Sequence, residues 1–151
     1  MINKKQYIHY CWFGGKKLSS LAERCIKSWQ EYLPDYEIKR WDESNCNFNE
    51  CSFVKQMYKE KKWAFVADYF RTKVLYEYGG IYLDTDMEIK KDITELLKDK
   101  TFLGVEDTGY VAVGVWYEKF PHAKLPAALL DTYRSIEYVD TDKLGNYSIP
   151  R

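Results

Sequence analysis

Neither sign of charge dominates this chain: 23 Lys and Arg balance 23 Asp and Glu over 151 residues. It therefore lacks the basic stripe that grips nucleic acid or an anionic membrane, and no nucleic-acid partner is expected. No uncharged run approaches the roughly 18 residues of a membrane span, so no transmembrane segment is expected. The opening Met1-Ile2-Asn3-Lys4-Lys5-Gln6-Tyr7 has no apolar core of the signal-peptide kind. The four cysteines are scattered, and only Cys46 and Cys51 lie close, with no His beside them; that is not zinc spacing. Reduced thiols in a cytoplasmic protein are the expectation. Internal repeats, low-complexity tracts and linkers are absent too.

A chain of this length suits one domain, here residues 1–151, burying roughly two-thirds of its unfolded surface. Aromatics are what it has in excess: 14 Tyr, 7 Phe and 5 Trp. Core packing accounts for most of them. Flat amphipathic rings also suit sugar and nucleobase sites, which gives such a ligand weak support.

Along the chain, Tyr7 to Phe13 reads as an aromatic strand ending at Gly14-Gly15. A helix follows with a capping box at Ser20-x-x-Glu23 and an apolar stripe of Leu18, Leu21, Ala22, Cys25, Ile26 and Trp29. Tyr36 to Trp41 reads as a strand, 42–45 as a polar turn and Phe53 to Lys62 as an amphipathic helix. A longer helix spans about Ala64 to Tyr78, with Ala67, Phe70, Val74, Leu75 and Tyr78 facing inward and Gly79-Gly80 as its left-handed cap. Met87 to Ile89 reads as extended, and Asp92 as the cap of a small helix over 93–98. Strands are predicted at Thr101–Val105 and Val111–Trp116, and a last helix at His122–Ile136 that restarts at Pro126. Alternating strands and helices predict an α/β fold, with a mainly parallel central sheet and helices on both faces.

Chemistry concentrates in Gly79-Gly80-Ile81-Tyr82-Leu83-Asp84-Thr85-Asp86: a glycine turn, an apolar strand, then two carboxylates one residue apart. Alternation along the strand predicts that Asp84 and Asp86 leave it on one side. Two such carboxylates suit a hard divalent cation that keeps some waters and meets a phosphate. Strand ends are also where open α/β sheets place ligands. The tripeptide itself is a weak signal, because eleven Asp in 151 positions produce an Asp-x-Asp about 0.8 times by chance. A second copy, Asp140-Thr141-Asp142, stands in a turn-rich stretch where short carboxylates cap turns, and a solvated turn is expected there.

Asp68 and Arg71, three apart on the long helix, share a face. Spacing alone leaves two alternatives open: a surface ion pair, or a pocket edge where Arg71 meets phosphate and Asp68 accepts sugar hydroxyls. Trp12, at the end of the first strand, is either core or a platform for a flat base. His9 reads as a satisfied core histidine.

Three ordered segments then carry a family resemblance: residues 8–15 (IHYCWFGG), 64–71 (AFVADYFR) and 76–86 (YEYGGIYLDTD). Together they resemble the catalytic N-terminal part of glycosyltransferase family 32, the DXD-motif capsular-polysaccharide and mannosyl-type sugar transferases, over residue 6 to about 105. The resemblance implies a Rossmann-like nucleotide-sugar transferase fold of the GT-A type. It implies a retaining transfer from a UDP- or GDP-sugar to a saccharide or lipid-linked saccharide acceptor, in capsular or exopolysaccharide synthesis, with Mn²⁺ or Mg²⁺ as cofactor. A lipid-linked acceptor would bring peripheral membrane association with it. By position, Trp12 would stack on the base with the Cys11 backbone beside it, and Asp68 and Arg71 would hold the donor sugar as the catalytic pair. Tyr82 would lie near ribose and diphosphate, Asp84 would bridge nucleotide and metal, and Asp86 would ligate the metal directly. No residue is an obvious covalent nucleophile, which favours front-face substitution.

The chain departs from that family where Ala67 replaces a frequent Ser, and where residues 110–114 carry no Asn. Family catalytic domains also continue past residue 151, and the ending Asn146-Tyr147-Ser148-Ile149-Pro150-Arg151 reads like a chain interrupted on its way into another element. A domain truncated at its C-terminus is the expectation. One alternative is a module that binds nucleotide-sugar and metal without catalysing transfer. Another is a haloacid-dehalogenase-type phosphatase, which would need its Asp-x-Asp nearer the N-terminus.

Overall fold

The computed structural model describes residues 4–143. The chain ending at Asn146–Arg151, read above as an interruption, lies outside them. Five strands form one sheet: β1 (Tyr7–Cys11), β2 (Glu37–Trp41), β3 (Gly80–Leu83), β4 (Thr101–Val105) and β5 (Val111–Glu118), in the order β2-β1-β3-β5-β4. β1 pairs in parallel with β2 and with β3, while β5 runs antiparallel to both β3 and β4. Four of the five strands therefore point one way, and the α/β expectation holds.

Four α-helices cover the sheet: α1 (Ser20–Tyr32), α2 (Ser52–Lys59), α3 (Trp63–Tyr78) and α4 (Lys124–Ser135). Strand alternation divides the core in two. Ile8, Tyr10, Ile81, Leu83 and Tyr117 pack with Cys25, Trp29 and Leu33 around α1. Cys11, Tyr82 and Trp116 pack on the other face with Phe53, Met57, Val66, Phe70 and Leu130 from α2, α3 and α4. Trp29 is fully buried, and its indole N–H donates to the Met87 carbonyl at 2.7 Å, tying α1 to the chain beyond β3.

α3 is buried on most of its circumference, at Val66, Tyr69, Phe70, Arg71, Thr72, Val74 and Leu75, because it lies between the sheet and its neighbours α2 and α4. The inward face read from its sequence was therefore too narrow, and Tyr78 is 37% exposed at its outer edge. Gly79 closes α3 at φ 66° and ψ −168°, a positive φ as expected but with an extended ψ in place of the left-handed cap. Gly80 opens β3 at φ 103°, where an added Cβ would lie 2.6 Å from the Tyr7 carbonyl oxygen; glycine here lets β3 seat against β1.

Local expectations shift in four places. The α1 cap is Ser19, whose hydroxyl accepts from the Ala22 amide at 3.1 Å, so the predicted box at Ser20 and Glu23 is one residue late. Ser19 is extended, as a capping residue must be, while Ser20 is already helical. The small helix over 93–98 shrinks to a 3₁₀ turn at Leu96–Lys98, with the Asp92 carboxylate accepting from the Thr94 amide. Met87 to Ile89 joins no strand, because the Ser28 hydroxyl takes the Ile89 amide at 2.9 Å. The last helix begins at Lys124, after His122 takes φ 62°, which leaves Pro126 in the first turn.

Candidate functional site

β1 turns toward β2 on one side and is flanked by β3 on the other, so the carboxyl ends of β1 and β3 mark the point where the strand order reverses. Open α/β sheets bind ligands at such a switch point. Trp12 continues from β1 and Asp84 from β3, which puts both at that edge.

The two motif carboxylates are gathered by a turn rather than by strand alternation. β3 ends at Leu83; the Asp84 amide still donates to the Gly114 carbonyl at 2.8 Å, and the Met87 amide then donates back to the Asp84 carbonyl at 2.9 Å. Asp84 to Met87 is thus a tight turn with Asp86 at its third position. Burial first, and then the neighbouring Asp84 charge, raise the Asp86 carboxyl above its ordinary range.

α3 delivers the cation of the site. Arg71 Nη1 donates to Asp68 Oδ1 at 2.7 Å and Nη2 donates to Asp84 Oδ1 at 2.8 Å, with the Arg71 side chain only 6% exposed. The guanidinium also lies over the Tyr82 ring, 4.5 Å from its centre. Of the two alternatives for Asp68 and Arg71, the exposed ion pair fails: both groups are drawn inward, and Arg71 bridges Asp68 to Asp84. Burial opposes the guanidinium charge, but the Asp84 and Asp68 carboxylates bonded to it hold Arg71 protonated. Burial raises the Asp68 carboxyl, against the pull of Arg71.

Cys11 and Tyr82 lie in the layer beneath. The Cys11 thiol is buried, and burial pushes its pKa up, so it is no thiolate nucleophile. Tyr82 is 1% exposed, supporting Arg71 from below, and burial raises its phenol as well. Trp12 is half-buried at the rim, its indole N–H donating to the Lys16 carbonyl at 2.8 Å. His9 is a core histidine, as expected: Nε2 bonds the Gly79 carbonyl at 2.8 Å and Nδ1 accepts from the Trp41 indole at 3.1 Å.

Three contributors escaped the sequence reading. Glu43 accepts from the Gly14 amide at 2.6 Å and so pins the glycine loop after β1. Trp63, the first residue of α3, stands where a Gly14 Cβ would come within 3.1 Å of its Nε1. Gly114 offers its carbonyl to Asp84. Only the polar 42–45 turn and the Gly14-Gly15 pair hinted at the first two, and an isolated glycine gives no hint of the third.

Whether the residues fit a divalent cation can be tested on unpaired atoms. Among the described residues, the buried side-chain polar atoms without a hydrogen-bond partner are Asp86 Oδ1 and Arg71 Nε. A buried carboxylate oxygen with no donor beside a second carboxylate is the donor chemistry a hard cation takes. No cluster of three or more His, Cys, Asp or Glu forms among the described residues. Two carboxylates suffice for an ion that completes its shell with water and phosphate. At the second tripeptide, the Lys143 amide donates to the Asp140 carbonyl at 3.2 Å and its ammonium lies 3.5 Å from the Asp140 carboxylate, a solvated turn as expected.

Residues 19–103 match the family model described as a glycosyltransferase sugar-binding region containing a DXD motif. The matched span holds Asp68, Arg71, Tyr82, Asp84 and Asp86, and begins after Cys11 and Trp12. Among solved structures, PaToxG Glycosyltransferase shares the fold with a TM-score of 0.69 at 16% identity. The alignment covers 95% of this chain and 62% of that one, so this chain spans less than two-thirds of its structural relative. Among curated proteins none matches significantly.

Proposed function

The chain belongs to the glycosyltransferase sugar-binding regions containing a DXD motif, and from that premise we propose that it transfers a sugar from a UDP- or GDP-sugar to a saccharide or lipid-linked saccharide acceptor. The proposal includes retention at the anomeric carbon, dependence on Mn²⁺ or Mg²⁺, a cytoplasmic setting and a role in capsular or exopolysaccharide synthesis of the family 32 kind. One observation carries it: the buried Asp68–Arg71–Asp84 bridge beside the unpaired Asp86 oxygen, all at the switch point of the sheet.

In this reading Asp84 and Asp86 hold the cation, which when bound neutralises charge gathering on the departing diphosphate. Trp12 stacks on the base beside the Cys11 backbone. Tyr82 fixes the plane of Arg71 from below. Asp68 accepts hydroxyls of the donor sugar, and the unused Arg71 Nε and the outer faces of its fork supply donors next to it. Holding the sugar while its bond to phosphate lengthens is the task of this pair. The acceptor hydroxyl attacks from the face the diphosphate leaves, a front-face route that needs no covalent nucleophile, and the Cys11 thiol, its pKa pushed up by burial, offers none. No helix among the described residues is long and apolar enough to cross a membrane.

A second reading has its own support. Because the chain spans 62% of its structural relative, it could act as a module that binds nucleotide-sugar and metal without turning it over. Donor hydrolysis and transfer, measured with UDP- and GDP-sugars in the presence and absence of Mn²⁺, separate the readings. Metal-dependent turnover supports the transferase, and binding without turnover supports the module. Phosphatase activity on sugar phosphates, with no nucleotide-sugar binding, would restore the hydrolase alternative and remove both.

A further inference from the structure

We propose that Gly114 is a positioning residue for the Asp84 carboxylate, set beside it by the β3–β5 register at the point where β5 slips out of register with β4. The inference rests on the nucleotide-sugar reading for its consequence, but not for its geometry.

β5 keeps a regular register against β3, from Gly80 opposite Glu118 to Leu83 opposite Val115. Against β4 the register breaks: Leu103 faces Trp116, yet the next residue, Gly104, faces Ala112. Val113, Gly114 and Val115 therefore stand opposite a single peptide step. Bulges of this kind re-aim backbone and side chains beside functional sites. Here the Gly114 carbonyl takes the Asp84 amide, extending the β3 pairing by one residue at the base of the turn.

Gly114 is not glycine for the sake of its backbone, because its φ lies outside the left-handed region that glycine alone favours. The reason is space. A Cβ at this position would stand 2.7 Å from Asp84 Oδ2, 3.5 Å from its Cγ and 3.0 Å from Met87 Cε. The Met87 methyl ends a flexible chain and can move aside. The Asp84 carboxylate cannot move freely, since Arg71 Nη2 holds Oδ1 at 2.8 Å. A methyl group at Gly114 thus forces Oδ2 out of place or breaks the Arg71 bond. Oδ2 is also the oxygen that Arg71 leaves available for a cation or nucleotide.

The test is a double-mutant cycle on Gly114→Ala and Asp84→Ala. Mn²⁺ affinity is measured by calorimetry with UDP and with GDP, and the thermal midpoint is measured without ligand. Gly114→Ala is expected to weaken Mn²⁺–nucleotide binding about 10- to 100-fold, the range for losing a group that orients a metal ligand. In the Asp84→Ala background it is expected to add no further loss. The thermal midpoint should follow the same pattern, falling with Gly114→Ala alone and not when Asp84 is already truncated. If Gly114→Ala fails to fold while the double variant folds, the same contact is shown. Equal decrements of midpoint in both backgrounds, or a double variant that also fails to fold, would make Gly114 a structural glycine and overturn the inference. Wild-type protein that binds neither nucleotide would sink the proposed function instead, and the unliganded cycle would still decide the role of Gly114.

Discussion

Arg71 and Asp84, thirteen residues apart, are joined through Nη2 and Oδ1 at 2.8 Å, while the opposite corner of the same guanidinium holds Asp68. One side chain on α3 thereby couples the sugar end of the proposed site to its nucleotide end. The two partners of Arg71 should consequently separate in their effects. Asp68→Asn is expected to lower affinity for the nucleotide-sugar and to leave the bare nucleotide unchanged. Arg71→Lys keeps the charge but loses the planar fork, and should lower both. Arg71→Ala leaves two carboxylates without their cation and should cost about 3–5 kcal/mol of stability. Calorimetry with both ligands in Mn²⁺, beside urea denaturation, measures all three; an Arg71→Lys loss confined to the sugar would contradict the bridge.

Trp12 carries two roles that substitution can divide. Its indole N–H ties the Lys16 carbonyl of the glycine loop, and its ring face is the proposed base platform. Trp12→Ala should weaken UDP or GDP binding about 10- to 100-fold, as loss of a stacked base does. Trp12→Phe keeps a ring without the N–H and should stay close to wild type in affinity. A large stability loss with unchanged nucleotide affinity in Trp12→Ala would assign the ring to the core.

His9 gives the fold a defined acid limit. Burial, reinforced by the Lys39 charge and opposed by the Gly79 hydrogen bond, pushes its pKa down from 6.5 to about 4. The unfolded chain takes up a proton on this residue below pH 6.5 and the folded chain resists until about pH 4. Stability is therefore fully present above pH 6.5 and falls as pH drops through that window, by about 3 kcal/mol in total. Urea midpoints measured from pH 7 to pH 4 should show the slope. His9→Gln should flatten it, and an unchanged slope in that variant would place the acid limit elsewhere.

Much of this arrangement was legible in the sequence because short-range rules govern it. Gly79-Gly80, the apolar run behind it and the Asp84/Asp86 pair mark a strand end feeding a ligand edge, and the structure puts them there. Asp68 and Arg71 were legible as sharing a face, but helix spacing cannot say what that face meets. The answer depends on Asp84 arriving from another element. Gly114 was invisible for the same reason: its role comes from the β3–β5 pairing that sets it beside Asp84, which no local pattern announces. The box at Ser20 and Glu23 missed by one residue because Ser19 offers the same hydroxyl one position earlier. α3 defeated a stripe reading because layers on several sides bury it.

The measurement that tests the central claim most directly is Mn²⁺-dependent nucleotide-sugar binding by Asp86→Ala beside Asp142→Ala. Asp86→Ala is expected to keep the fold by circular dichroism and to lose metal-dependent binding, because Asp86 Oδ1 has no other partner to replace. Asp142→Ala, in the solvated turn, is expected to bind as wild type does. Binding retained in Asp86→Ala, or lost equally in both variants, would contradict the assignment of the cation to the Asp84–Asp86 turn.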